Sequence, residues 1–311
     1  MKRRTRKFVV AAGMFTIDGG AGPPALEGGL VSYPTRDGQA EAYRSDPNSG
    51  RPLGQVVVVH EVWGLSRSIR DACDRLSRRG FVAVAPFLYW RDKQLFSSER
   101  IREGMKLVWD LTIEERYRPR VLAAALRKGH ASEETGSMLR TFYDNGFRRQ
   151  LLQDLNSLAS HLQKENPDLR TGAMGFSMGG RLALQLASSF PGMAACVAYS
   201  ADPVRGAALA KLRSPLLLLY GSRDTFMTRN LGAFVQEAVA KGRELELKIY
   251  PSAGHEFFDP GNKKEYRAGA AEDAWGISAD FLLKRLSAEA RPRAVRHSRK
   301  NSGRPSAEQG V

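Results

Sequence analysis

Apolar positions along the chain fall into two alternating patterns: short continuous runs, and longer stretches with helical spacing. Val56, Val57, Val58 and Val59 form a run of four β-branched residues, which reads as a strand buried on both faces. Residues 68–79 then place Ile69, Ala72, Cys73 and Leu76 on one helical face, and Gly80 stops the helix. Residues 81–85 are the next apolar run, ended by Pro86. Strand, helix and strand in that order build a parallel sheet. The rhythm returns with a helix over 146–165, a strand over 171–176 and a helix over 179–189. Further strands fall at 196–199, 216–220 and 245–250, and a helix over 228–241 separates the last two. A helix over 272–286, carrying Trp275, Phe281, Leu282 and Leu286, closes the pattern.

Two segments break this rhythm. Residues 30–33 and 40–43 read as short strands joined through Arg36, Asp37 and Gly38, a turn signal. Residues 97–145 are charged and helical in pattern, with Ile101, Met105, Val108 and Trp109 on one face and a second run over 114–128. This stretch is a helical insertion over the edge or mouth of the sheet, either a lid or ordinary structure. The fold class is therefore α/β, a mostly parallel central sheet flanked by helices. Three parts are expected: a basic, flexible arm (1–29), the α/β domain (30–287) and a basic disordered tail (288–311).

With 311 residues, 42% of them hydrophobic and 26% charged, the chain can bury a sizeable core, and a fibrous or wholly disordered protein is excluded. The net charge of +15 suggests nucleic acid until it is located. Five basic residues lie within 1–7, and 288–311 holds six against two acids. The ends thus read as solubilising tails, and no specific nucleic-acid partner is expected. No apolar run is long enough for a membrane helix, and the patch after Arg3 and Arg4 is too short for a secretory signal. Cys73 and Cys196 lack metal-ligand spacing and fit a reducing, cytoplasmic setting.

The sharpest chemical signal is Gly175-Phe176-Ser177-Met178-Gly179, followed by Gly180. It stands where an apolar strand ends and a helix begins, the setting of a nucleophile elbow. A serine hydroxyl needs a base, and that base needs an acid to hold its tautomer. Of five histidines, His255 lies in a loop just after strand 245–250, and the order serine, acid, histidine favours it; His60 is its rival. Asp224 follows strand 216–220 and is the candidate acid, or else a helix cap. The backbone N–H of Met178 and that of Val62 are the candidate oxyanion donors. Glu61, charged and directly after four valines and a histidine, is either a structural carboxylate or a site residue.

These motifs, taken together, resemble the dienelactone hydrolase family. The resemblance rests on His60-Glu61-Val62-Trp63-Gly64-Leu65, Ile69-Arg70-Asp71, Ala85-Pro86-Phe87-Leu88-Tyr89, the elbow with its double glycine, Gly221-Ser222-Arg223-Asp224 and Gly254-His255-Glu256-Phe257-Phe258. It implies the α/β-hydrolase fold, no metal or organic cofactor, and hydrolysis of a small, activated carboxylic ester or lactone. Apart from the resemblance, a monomer or homodimer with no membrane partner is expected. Two departures stand out. The family typically carries cysteine where this chain has Ser177, which puts the family role of the glutamate matching Glu61 in doubt. Of the two arginines that hold a substrate carboxylate in dienelactone-cleaving members, one matches Arg91, whereas the other position holds Asp259. The expectation is a serine esterase or lactonase working through an acyl-enzyme. The alternatives are a peptidase of the same fold and a noncatalytic anion-binding scaffold.

Overall fold

The computed structural model describes residues 25–287. Residues 1–24 of the arm expected over 1–29, and the tail expected over 288–311, lie outside the described residues; the end of the arm is instead tied to the domain, with the Glu27 and Gly28 N–H groups donating to Asp74 and Gly29 opening β1. Eight strands form one sheet: β1 (Gly29–Pro34), β2 (Gln39–Ser45), β3 (Gly54–Val59), β4 (Phe81–Pro86), β5 (Thr171–Phe176), β6 (Met193–Tyr199), β7 (Leu216–Gly221) and β8 (Leu245–Tyr250). Their order is β1-β2-β4-β3-β5-β6-β7-β8. β1 and β2 form an antiparallel hairpin whose turn is closed by Thr35 N–H on the Gly38 carbonyl at 2.8 Å. β2 is also antiparallel to β4, and every later pairing is parallel. This is the α/β-hydrolase fold.

The four valines show why β3 is central. All are fully buried, with Val57 and Val59 in one core and Val56 and Val58 in the other, on opposite faces of the sheet. Each buried valine contributes about 1.5–3 kcal/mol relative to exposure. Helices α1 (Arg67–Arg78) and, at the far end of the chain, Ala268–Leu286 cover the Val56 face.

The stretch between β4 and β5 begins with a short 3-10 turn, Trp90–Asp92. The insertion follows as α2 (Ser98–Val108), α3 (Ile113–Arg116), α4 (Pro119–Lys128) and α5 (Glu133–Thr141). The single run expected over 114–128 is two helices, because Pro119 lacks an N–H and instead starts α4 at its first position. α6 (Asn145–Glu165), capped by Asp144 on Phe147 N–H at 2.7 Å, returns the chain to the sheet. α7 (Met178–Ser189) leaves β5, and α8 (Ala207–Lys211) follows β6. A one-turn helix, α9 (Thr225–Thr228), precedes α10 (Leu231–Ala240), which is the helix expected over 228–241. α11 (Ala268–Leu286) ends the described chain. α6, α7, α10 and parts of the insertion pack on the Val57 face. β8, at the sheet's end, is partly exposed, with Leu247 at 39% and Ile249 at 45%.

Candidate active site

Parallel strands point their carboxyl ends one way, so the loops after β3, β5, β7 and β8 gather at one rim. Ser177 occupies the turn between β5 and α7 at φ 52°, a region that side chains other than glycine rarely adopt. Glycines make that turn possible. A Cβ on Gly175 would strike the backbone of Gly179, and one on Gly179 would strike the carbonyl oxygens of Val59 and His60. The Ser177 N–H donates to the Tyr199 carbonyl at 2.8 Å and anchors the elbow to β6.

Ser177 Oγ lies 2.7 Å from His255 Nε2. On its other side the imidazole donates from Nδ1 to Asp224 Oδ2, also at 2.7 Å. Asp224 is fully buried as a side chain, and its second oxygen, Oδ1, accepts from Met227 N–H at 3.4 Å to cap α9. The two roles read from sequence for Asp224 therefore coexist, one on each oxygen. The His255 carbonyl accepts from Ser200 Oγ at 2.6 Å. Burial alone would push the imidazole pKa down, but the Asp224 charge and hydrogen bond outweigh it and hold the pKa above its ordinary 6.5. Glu256 adds to that rise, and Arg116 opposes it.

Other sequence candidates fall in different places. His60 is fully buried, with Nδ1 on the Glu61 carbonyl at 2.6 Å and Nε2 accepting from Leu88 N–H at 3.3 Å. Desolvation lowers its pKa to about 4, so it is a neutral structural link and not a rival base. Glu61 accepts from Trp63 N–H and the Ser66 side chain, which folds the loop after β3 upon itself. Burial above all, then the charges of Glu256 and Asp259, push its pKa well above the usual carboxylate value. Asp259 accepts from Ser68 Oγ at 2.6 Å and from Gly261 N–H at 2.9 Å. Arg91 is committed to buried Asp154 through both terminal nitrogens and to Asp37 at 2.7 Å. It lines neither cavity beside Ser177 and His255, so the structure does not bring it to them. Met178, the first residue of α7, has no intrahelical partner for its N–H and lines a cavity with Ser177. Val62 lies in the loop after β3, its carbonyl accepting from Tyr89 Oη at 2.9 Å.

Two cavities flank the serine–histidine contact. One, of about 40 Å³, is lined by Ser177, Met178, Leu182, Phe226, Met227 and Tyr117 among others. The other, about 240 Å³, borders Asp224, His255 and Glu256, and its far wall is Trp109, Leu111, Ile113 and Arg116. The insertion thus walls both cavities. Tyr117 packs its ring on Phe226 with centroids 4.9 Å apart, and Arg116 lies 3.9 Å from Glu256. Sequence reading placed the insertion near the mouth of the sheet but not these side chains. No signal in the sequence singled out Arg116, the last residue of α3, or Tyr117 directly after it. Among the described residues, no group of three or more His, Cys, Asp or Glu could hold a metal ion. No described helix is long and apolar enough to cross a membrane.

Residues 40–286 match the model of the dienelactone hydrolase family. The chain belongs to the dienelactone hydrolase family. It is accordingly a hydrolase of the kind that acts on ester or lactone bonds. A protein of Saccharolobus solfataricus bearing the name carboxymethylenebutenolidase is 31% identical over 256 residues, spanning 81% of this chain and 96% of its own length. One of the same name from Escherichia coli is 28% identical over 264 residues, covering 81% and 84%. A crystal structure from Klebsiella pneumoniae, described as a dienelactone hydrolase, superposes with a TM-score of 0.62 at 25% identity. It covers 84% of this chain and 100% of that one.

Proposed function

We propose that this dienelactone hydrolase family member is a serine esterase or lactonase acting on a small ester or lactone. The observation that carries the reading is the continuous path from Ser177 Oγ through His255 to Asp224, two contacts of 2.7 Å each. In this reading Ser177 Oγ attacks the acyl carbon while His255 Nε2 takes the hydroxyl proton. Asp224 holds the imidazole with Nε2 facing the serine and stabilises the imidazolium. The N–H groups of Met178 and Val62 receive the oxyanion, and the amino end of α7 adds its dipole. His255 then returns the proton to the departing alkoxide, and the C–O bond breaks. Water, deprotonated by the same imidazole, attacks the acyl-enzyme, and the acid leaves as Ser177 regains its proton.

The cavity beside Met178, Leu182 and Met227 is small and suits a short acyl group, whereas the larger one behind His255 suits the leaving group. The catalytic unit is residues 30–287. Buried, unpaired Cys73 and Cys196 are consistent with a cytoplasmic setting. The test is Ser177→Ala against wild type with p-nitrophenyl acetate and a fluorophosphonate probe. Wild type should turn over the ester and become labelled, and the folded variant should do neither. Undiminished turnover in Ser177→Ala would end the proposal.

A further inference from the structure

β8 ends the sheet, and among the described residues it pairs only with β7. Such an edge carries unpaired N–H and C=O groups and is a template for another strand. Which groups are unpaired can be worked out. Leu216 N–H donates to the Glu244 carbonyl and Ser222 N–H to the Tyr250 carbonyl, both at 2.9 Å. In a parallel ladder alternate residues of a strand bond to the same neighbour. The even-numbered residues of β8 therefore face β7, and Leu245, Leu247 and Ile249 turn their main-chain groups outward.

We propose that β8 pairs with β8 of a second copy of this chain, antiparallel about a two-fold axis at Leu247, so that one sheet runs through both molecules. A two-fold partner of this kind must set outward residue against outward residue. With Leu247 opposite itself, Leu245 lies opposite Ile249 on one face of the sheet, and Glu246 lies opposite Lys248 on the other. A shift by one step in either direction sets Glu246 against Glu246, or Lys248 against Lys248. Only the central register makes both apolar and charged pairs complementary, and cross-strand pairs of that kind are what stabilise a ladder.

The exposed side chains agree with this. Leu247 and Ile249 are 39% and 45% exposed, and Val239 in α10, on the same side of the sheet, is 67% exposed. These are three of the nine large apolar residues left exposed among the described residues, gathered at one edge. Glu246 and Lys248 are already steered towards α11, Lys248 by Asp273 at 2.5 Å and Glu246 by Arg285 at 3.9 Å. Their charges therefore stand on the face where the partner's opposite charge would arrive. The two-fold supplies about six new main-chain hydrogen bonds.

Sedimentation velocity on the full chain tests this, over concentrations up to on the order of 100 μM. Wild type should sediment at twice the chain mass of 34.4 kDa. Leu247→Pro removes only an outward N–H and spares the β7 ladder, so it should give a folded monomer by circular dichroism. Glu246→Lys needs no change in backbone and should raise the dissociation constant about tenfold or more by opposing like charges. Adding Lys248→Glu to it should restore dimerisation. A wild type that stays monomeric throughout would overturn the proposal. So would a dimer unmoved by both Leu247→Pro and Glu246→Lys, because its interface would then lie elsewhere.

Discussion

Ser200 Oγ donates a 2.6 Å hydrogen bond to the main-chain oxygen of His255, and Ser200 makes that reach from a backbone φ of 46°. The residue is wholly buried at the end of β6. A side chain held in this rarely used conformation fixes the loop that carries the imidazole. Ser200→Ala leaves a buried carbonyl without its donor, at a cost of about 1–3 kcal/mol. We expect kcat for p-nitrophenyl acetate to fall about tenfold with KM little changed, because imidazole placement and not binding is disturbed. Ser200→Thr should recover most of the loss. Equal kcat in wild type and Ser200→Ala would show that the bond has no part in placing His255.

In the proposed mechanism the acid limb of kcat/KM reports His255, which must be neutral to accept the serine proton. Its pKa lies above 6.5, so activity should rise with pH through a value higher than that of a free imidazole. Glu256 raises this pKa and Arg116 lowers it. Glu256→Gln should therefore move the limb to lower pH and Arg116→Met to higher pH. Asp224→Asn should shift it downward too, with kcat reduced by on the order of 10⁴. A pH–rate profile of each variant checks the three directions.

Glu61 makes stability depend on pH. Its folded pKa is raised above 4.5, so the folded chain holds the proton more tightly than the unfolded chain does. The resulting stabilisation is full below 4.5 and is lost as pH rises through the folded value. Glu61→Gln keeps the shape without the charge, so its melting temperature should fall less than that of wild type between mildly acidic and neutral pH. Thermal unfolding at a series of pH values measures this. Parallel curves would contradict the buried-carboxyl reading.

Arg91 is expected to matter to the fold and not to substrate. Asp154 is 1% exposed as a side chain, and among the described residues the side-chain donor left to it without Arg91 is Trp90 Nε1, at 3.0 Å. Arg91→Met should cost on the order of 3 kcal/mol in denaturant unfolding, since it strands a buried charge. The ratio of kcat/KM for esters with and without a carboxylate should not change. A selective loss of the carboxylate-bearing ester would restore Arg91 as a substrate ligand.

The small cavity beside Ser177 should limit acyl length. Leu182→Ala or Met227→Ala enlarges it. Hexanoate should then gain on acetate by about tenfold or more in kcat/KM, a size consistent with the free energy carried by a methylene in a fitted pocket. Comparing p-nitrophenyl esters across chain lengths in both variants is the check, and an unchanged ratio would place the acyl group elsewhere.

Much of the fold was legible because its signals are local. Four buried valines, the strand–glycine–serine–helix turn and the order of Ser177, Asp224 and His255 each require particular residue types at particular spacings. The division of 114–128 at Pro119 was equally local, yet a shared apolar pattern concealed it. Long-range contacts were not legible. Nothing in Leu88-Tyr89-Trp90-Arg91 shows that Asp154, some sixty residues later, would claim the guanidinium. Nor does the spacing of Glu61 reveal that it folds back onto the N–H two residues on. The cavity walls depend on how four short helices dock, which tertiary packing decides and periodicity cannot.

In the proposed mechanism the reacting groups come from turns after β5, β7 and β8, while the stretch between β4 and α6 supplies much of the surface that a bound molecule would meet. Part of the selectivity is thus carried by a piece of chain separate from the chemistry, beside the share held by Leu182 and Met227. Grafting that stretch from another member of the family should retune which esters are accepted while the proton-transfer apparatus stays as it is.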